Sequence, residues 1–271
     1  MAATASPLAM AGDGSLASYW RFHRAVATAQ LAAWLPAGRQ VLIDISGPQG
    51  RSATQAAKAG HFVLRVTQGE AADSSDTHAA LRRRAGPGGP SGSGGPGGPG
   101  GPGGIVAAVT ADPGNLRFLA DGCVDGVIAD DRTLSRYVAA EYLAAEIARV
   151  LRPGGRLIAS VDSLVLGMAM LAEQRHWAEL TDLPSAEVLL IPWQDGTFTR
   201  CYGAQHLKDL CAEAGLKPSA IRPRTVLSPS MVTRVLHNDP GAMARLVRAE
   251  LIAAADESVG IQLVVTARKP V

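Results

Sequence analysis

The sequence predicts an α/β protein with a doubly wound, mostly parallel, seven-stranded sheet and helices on both faces. Three observations predict it. Short aliphatic runs such as Val41–Ile45 and Phe62–Val66 alternate with segments of helical period, the trace that crossover connections between parallel strands leave in a chain. The stretch Ile105–Asp162 reads without interruption as strand, acidic turn, strand, amphipathic helix, Pro-Gly-Gly stop and strand. And 271 residues, 47% hydrophobic and 18% charged, give room for one large domain of this class with a real core.

The elements follow in order. Residues 1–14 read as a loose tail and 15–271 as a single domain. Leu16–Leu35 is a helix, with Tyr19, His23, Val26, Leu31 and Trp34 recurring near helical spacing, ended by Pro36–Gly38. Val41–Ile45, apolar around the single Asp44, is a buried parallel strand. Ser52–Ala59 is a short helix closed by Gly60, and Phe62–Val66 the second strand. Gly86–Gly104 is almost pure Gly and Pro; it cannot bury apolar area and is expected to be a disordered insert, its irregular period excluding collagen. Ile105–Val109 and Val124–Asp131 are strands. Tyr137–Leu151 is a helix with Leu143, Ile147 and Val150 inward, and Arg156–Ser160 the strand after the Pro153–Gly155 stop. Ser163–Leu180 is expected as helix, Val188–Pro192 as strand, Trp193–Gly196 as turn and Ala204–Ala214 as helix. A further helix starts at Asp239–Pro240, and Ile261–Ala267 is the final strand. The elements of 163–200 are expected to cap the acceptor side.

Composition excludes several classes. A net charge of +2 and one tight basic cluster, Arg82–Arg84, argue against nucleic acid. Three scattered cysteines form no C-x-x-C pair or disulfide framework, the N-terminus lacks a secretory pattern, and no apolar run is long enough to span a bilayer. A cytoplasmic protein is therefore expected. The histidines show no metal-ligand spacing, so no metal is expected.

Ligands of such sheets bind at the carboxyl ends of the strands. Here these ends carry Asp44, Asp112 and Asp130–Asp131. After Asp44 the turn Ser46–Gly47–Pro48–Gln49–Gly50 lets a ligand approach the backbone, and the helix behind it offers free N–H groups to an anion. Alone, this pattern fits plain packing as well. An acid about 20 residues beyond such glycines would hold ribose hydroxyls, but that count lands on Thr67, with Glu70 or Asp73 as substitutes if the turn folds back. Asp112 either accepts from an adenine amine, with Leu116 over the ring, or caps its own turn beside Pro113. A nicotinamide site is disfavoured, because G-x-G-x-x-G is missing after the first strand.

ADPGNLRF, DGCVDGVIA and LAAEIARVLRPGGRL together, with VLIDISGPQG before them and TRCYGAQHLKDLCAEAGLKPSAIRPRT after, resemble the class I S-adenosylmethionine-dependent methyltransferases. The likeness is to the small-molecule group that includes the quinone-biosynthesis enzymes, and it spans roughly Leu35–Arg224 outside the Gly/Pro insert. It implies a Rossmann-like methyltransferase fold with S-adenosyl-L-methionine as cofactor and methyl transfer to a small-molecule acceptor, without nucleic acid or membrane, a homodimer being left open. By resemblance Asp44, Ser46, Gly47 and Gly50 line the methionine moiety and Thr67 lies near the ribose. Asp112 and Pro113 flank adenine, with Asn115 and Leu116 nearby, and Ala129–Asp130 close the sulfonium side. The family has no fixed catalytic base. Tyr19, Trp20, His23, His176, Trp177, Trp193 and Tyr202 are the acceptor-side candidates, with His176 the first choice for a base. Pro48 and Thr67 depart from the family pattern, which keeps open a methyltransferase-like binding protein without catalysis.

Overall fold

The computed structural model of the chain describes residues 16–47, 49–67, 104–181, 187–192, 197–253 and 260–271. The expected tail, most of the Gly/Pro insert, Pro48, Glu70, Asp73 and Trp193 lie outside these residues.

The strands are β1 Val41–Asp44, β2 Phe62–Thr67, β3 Ile105–Thr110, β4 Val124–Ala129, β5 Leu151–Ser163, β6 Val188–Pro192, β7 Phe198–Tyr202, β8 Lys217–Pro223 and β9 Gln262–Arg268. The helices are α1 Ala17–Trp34, α2 Arg51–Lys58, α3 Ala140–Val150, α4 Leu164–Glu173, α5 Trp177–Thr181, α6 Ala204–Glu213, α7 Pro229–Asn238 and α8 Met243–Ile252. Strands β3-β2-β1-β4-β5 run parallel in that order; β9 then pairs antiparallel with β5, and β8 antiparallel with β9. This seven-strand core is the expected doubly wound sheet. A hairpin of β6 and β7 joins it, with Asp162↔Cys201 and Ser163↔Tyr202 parallel to the tip of β5. The β4 ladder stops at Ala159 while β9 still holds Asp162. The hairpin therefore extends the sheet along the edge that β4 has left, above the carboxyl end of β4.

Alternation along the strands sorts the core into two layers. Leu42, Val63, Ile128, Ile158 and Val264 pack on Leu31 and Trp34 of α1 and the alanines of α2. Ile43, Leu64, Val127, Leu157 and Val265 face the other way, onto Leu143 and Ile147 of α3 and Leu207 and Leu210 of α6. Small residues let backbones close up: a Cβ at Gly126 would stand 2.8 Å from Leu42 and 3.0 Å from Trp34.

The structure also explains why ARVLRPGG is so specific a signal. Arg149, in the last turn of α3, donates to Leu116 O, Leu119 O, Asp121 and Glu146, and so fastens the turn after β3. Lys269 Nζ reaches back to Ala148 O and Leu151 O, satisfying carbonyls at the helix end. Val150 ends the helix and Leu151 already pairs with Val124, so the ladder starts ahead of Pro153–Gly155 rather than after it.

Two expected helices are revised. The helix expected over Ser163–Leu180 is two, α4 and α5, because Arg175 sits at φ +61°, outside helical geometry. The helix expected from Tyr137 begins at Ala140, after a 3-10 turn at Leu134–Arg136. Strands β7 and β8 escape the hydrophobic pattern. In β7 the buried Arg200 interrupts the run, stabilised by Glu141 and by Val138 O. In β8 two prolines and mostly exposed residues mark an edge strand. Among the described residues no helix is long and apolar enough to cross a membrane.

Candidate functional site

Strand β1 delivers Asp44 to the carboxyl edge of the sheet, 1% exposed. Its Oδ1 accepts from Ser46 N at 2.9 Å, folding the chain into the turn, while Oδ2 makes no hydrogen bond among the described residues. Burial pushes the Asp44 carboxyl above its usual range, despite the Ser46 bonds. Gly47 (φ +113°) and Gly50 (φ +59°) then take backbone conformations that other residues adopt only with strain. Ser46 ties this turn to β4: its Oγ donates to Ile128 O at 3.4 Å and accepts from Asp130 N at 2.9 Å.

Beyond β4 the chain is strained. Asp131 and Arg132 are consecutive non-glycine residues at φ +56° and +60°. Strain of this kind gathers where a structure holds a functional site. It is held by Ser160 Oγ, which accepts from Arg132 N, and by the ion pair of Arg132 with the fully buried Asp162 at 3.2 Å. Thr199 of the hairpin also donates to Asp162, at 2.7 Å. Burial raises the Asp162 pKa, and Arg132 opposes it.

Between this edge and α1 lies a cavity of about 200 Å³. Ser46, Gly47, Gly50 and Asp130 line it from the sheet side, His23 from α1, and Arg224 and Gln262 from the ends of β8 and β9. Arg224, 2% exposed, donates to Asp130 Oδ1 at 2.6 Å and to Gln30 Oε1 at 3.0 Å. Burial would raise the Asp130 pKa; the Arg224 charge and hydrogen bond reverse that and hold it below the usual carboxylate range. His23 Nε2 lies 3.1 Å from Gln262 Oε1. An amide oxygen only accepts, which makes Nε2 the donor and leaves Nδ1 as the basic nitrogen. Desolvation, helped by the nearby Arg224 charge, pushes the His23 pKa down to about 4, so the ring is neutral at pH 7.

The expected residues divide. Ser46, Gly47, Gly50 and Asp130 line the cavity, with Asp44 beneath and the buried Ala129 behind Asp130. Asp112, Pro113, Asn115, Leu116 and Thr67 do not line it. Asp112 Oδ1 accepts from Gly114 N at 2.9 Å and from Tyr137 OH at 3.1 Å, so it does cap its own turn. Asn115 Oδ1 accepts from Arg117 N, Leu116 is fully buried, and Thr67 Oγ1 donates to Val109 O at 3.4 Å. His176 is not brought to the cavity: it stands between α4 and α5 with a side chain 42% exposed, Nδ1 3.4 Å from Glu179. Trp177 is 61% exposed; Tyr19 bonds Thr225, and Tyr202 is buried against Leu134 O. Sequence reading did not find Arg224, Gln262, Arg136 and Tyr137. Arg224 meets Asp130 across 94 residues of chain, a separation no local pattern encodes.

These residues fit an S-adenosyl group only in part. The turn Ser46–Gly50 provides a cradle of small residues under a cavity. Side chains of the chain itself stand over both ends, Arg136 at the turn and Tyr137 at the nucleoside end. Arg136 Nη2 donates to Ser46 O and would lie 3.1 Å from a Cβ at Gly47, while a Cβ at Gly114 would meet Tyr137 at 2.5 Å. The 200 Å³ present is also below the roughly 300–1,000 Å³ of ordinary ligand pockets.

Solved structures share the architecture. The 1,6-didemethyltoxoflavin-N1-methyltransferase of Burkholderia thailandensis, solved with 1,6-didemethyltoxoflavin and S-adenosylhomocysteine, superposes with a TM-score of 0.53 at 17% identity. The match covers 100% of this chain and 93% of that one. An S-adenosylmethionine-dependent methyltransferase described as putative, from Listeria monocytogenes, gives 0.55 at 13% identity, covering 94% and 98%. The [4+2]-cyclase SpnF gives 0.50 at 18% identity, covering 92% and 81%. The chain thus has the Rossmann-like fold of S-adenosylmethionine-dependent methyltransferases. No family model and no curated protein matches the sequence.

Proposed function

We propose that the chain transfers a methyl group from S-adenosylmethionine to a small-molecule acceptor, in the cavity at the carboxyl ends of β1 and β4. The observation that carries this reading is the convergence of Ser46, Gly47, Gly50 and Asp130 on one cavity, in a sheet of this strand order. Ser46, Gly47 and Gly50 would hold the amino-acid end of the cofactor above Asp44, and Ala129–Asp130 would close its sulfonium side. Asp112, Pro113, Asn115, Leu116 and Thr67 would flank the nucleoside once Tyr137 turns away, and Arg136 would turn away from Ser46 O to free the turn. When bound, the cofactor supplies an electrophilic methyl group. The chain's contribution is alignment, which for well-oriented reactants is worth roughly 7–11 kcal/mol of barrier. An acceptor O–H or N–H that must lose its proton would give it to His23 Nδ1 rather than to the distant His176. His23 is neutral at pH 7, and Gln262 Oε1 fixes its tautomer. The likeness to quinone-biosynthesis enzymes in ARVLRPGG and ADPGNLRF favours an aromatic acceptor.

A second reading, a binding protein of the same fold without methyl transfer, is favoured by specific contacts. Arg136 occupies Ser46 O, Tyr137 occupies Asp112, and the Thr67 hydroxyl is bonded to Val109 O. Fold alone does not decide, since a cyclase shares it. Methyl-labelled S-adenosylmethionine incubated with the protein and a fractionated small-molecule extract separates the readings. Label in a small molecule, with matching release of S-adenosylhomocysteine, is expected from the first. Cofactor binding without any release above the blank would leave the second.

A further inference from the structure

A second cavity, of about 420 Å³, lies on the α1 side of the sheet where β5, β9 and β8 pass between the end of α1 and α8. It shares no lining residue with the cavity at the glycine turn. Its floor is apolar, from Ile158 of β5 and Val264 of β9, and Trp34 and Leu251 form walls. Around this floor stand three guanidinium groups, those of Arg156, Arg222 and Arg268.

Their placement is unusual. Arg156 and Arg268 are direct partners in the antiparallel β5–β9 ladder, so their side chains leave the same face side by side. Like charges directly opposite are destabilising in a sheet. Arg222 is on the same face, paired to Val264, four residues along β9 from Arg268. Arg156 donates to Trp34 O at 3.0 Å, and among the described residues none of the three makes an ion pair. The one acid on the lining among the described residues, Glu250, is already engaged: Oε1 accepts from Val226 N at 2.7 Å and Oε2 from Leu227 N at 3.2 Å. Burial and the facing Arg268 charge both lower the Arg156 pKa, the same conflict seen as proton affinity. An arrangement with an apolar floor, no carboxylate to spare among the described residues and three forked donors is complementary to an anion carried on an apolar body. The volume suits a small molecule.

We propose that this groove is a binding site for a small organic anion, a carboxylate or sulfonate on an aryl or medium-length alkyl body. The anion sits between Arg156 and Arg268, with Arg222 closing on it, and the body lies over Ile158 and Val264. The site is independent of whatever the glycine turn holds.

The full chain titrated with 8-anilino-1-naphthalenesulfonate tests this, with the neutral N-phenyl-1-naphthylamine as control. The expected result is saturable one-site fluorescence enhancement by the sulfonate, displaced by octanoate and not by octanol, and weakened by rising salt. Arg156→Gln and Arg268→Gln should each weaken the sulfonate roughly tenfold, about what loss of one charge-assisted contact implies, and leave the neutral amine unchanged. Arg268 is on the surface, so Arg268→Gln should fold, with a melting temperature equal to or above that of the parent because the like-charge pair is gone. Sulfonate binding that does not saturate would overturn the proposal. So would equal affinity in parent and variants, or equal binding of sulfonate and amine.

Discussion

Arg224 and His23 decide the character of the carboxyl-edge cavity. Asp130 is ionised there because Arg224, 2% exposed, sits 2.6 Å away. Arg224→Ala would leave that carboxylate buried without its cation, at a cost of about 3–5 kcal/mol, readable as a lower urea midpoint. Burial makes His23 harder to protonate than a surface histidine. Its folded pKa, about 4, lies below the ordinary 6.5. Between those values the unfolded chain takes up a proton that the folded chain refuses. The stability it contributes is complete above pH 6.5 and lost as the pH falls towards 4, up to about 3 kcal/mol at ~1.4 kcal/mol per unit. His23→Gln should flatten stability against pH over that window and leave the steeper carboxylate losses below it; an unchanged slope would contradict the burial of a neutral ring. At this scale the sequence was legible where backbone chemistry dictated the residue. Gly47 and Gly50 do hold positive φ, and Asp44 does end its strand. Partners that meet only in three dimensions left no local mark. Asp112 could be read both as a cap and as a ligand residue, and its carboxylate bonds its own turn and Tyr137.

Among elements, the β6–β7 hairpin is the addition to the seven-strand core, and α4 packs on it at Gly167. A Cβ there would stand 3.2 Å from Cys201 and from Leu189. Gly167→Leu should cost about 1–3 kcal/mol by overpacking, with faster amide exchange confined to β6, β7 and α4; uniform loss of protection would contradict that location. The strands β1, β2, β4, β5 and β9 were readable because burial on both faces demands continuous apolar residues, and the edge strand β3 from its short apolar run alone. Strand β8 was not, because at an edge its prolines give up no ladder bonds and only Ile221 and Pro223 are buried. The start expected at Asp239–Pro240 is a 3-10 turn, Pro240–Ala242, with Asp239 Oδ1 accepting from Gly241 N, and it leads into α8 at Met243; α7 before it was not expected.

For the whole molecule, the stretch Ile105–Asp162 identified the architecture, and strand order β3-β2-β1-β4-β5 with β9 and β8 antiparallel bears it out. That order puts β1 and β4 side by side at the centre, so the ends of the two strands make one edge. It also brings the amino helix α1 and the distant residues Arg224 and Gln262 over that edge. The fold and the place of this cavity were therefore legible together. The state of the turn and of the Asp112 side was not, because it depends on where Arg136 and Tyr137 point. The most direct test of the central claim is isothermal titration calorimetry of the full chain with S-adenosylhomocysteine. The account predicts saturable binding at one site per chain, weakened by Ser46→Val, which crowds the cradle and removes the hydroxyl that holds Asp130 N. Absence of binding at millimolar concentration would contradict it.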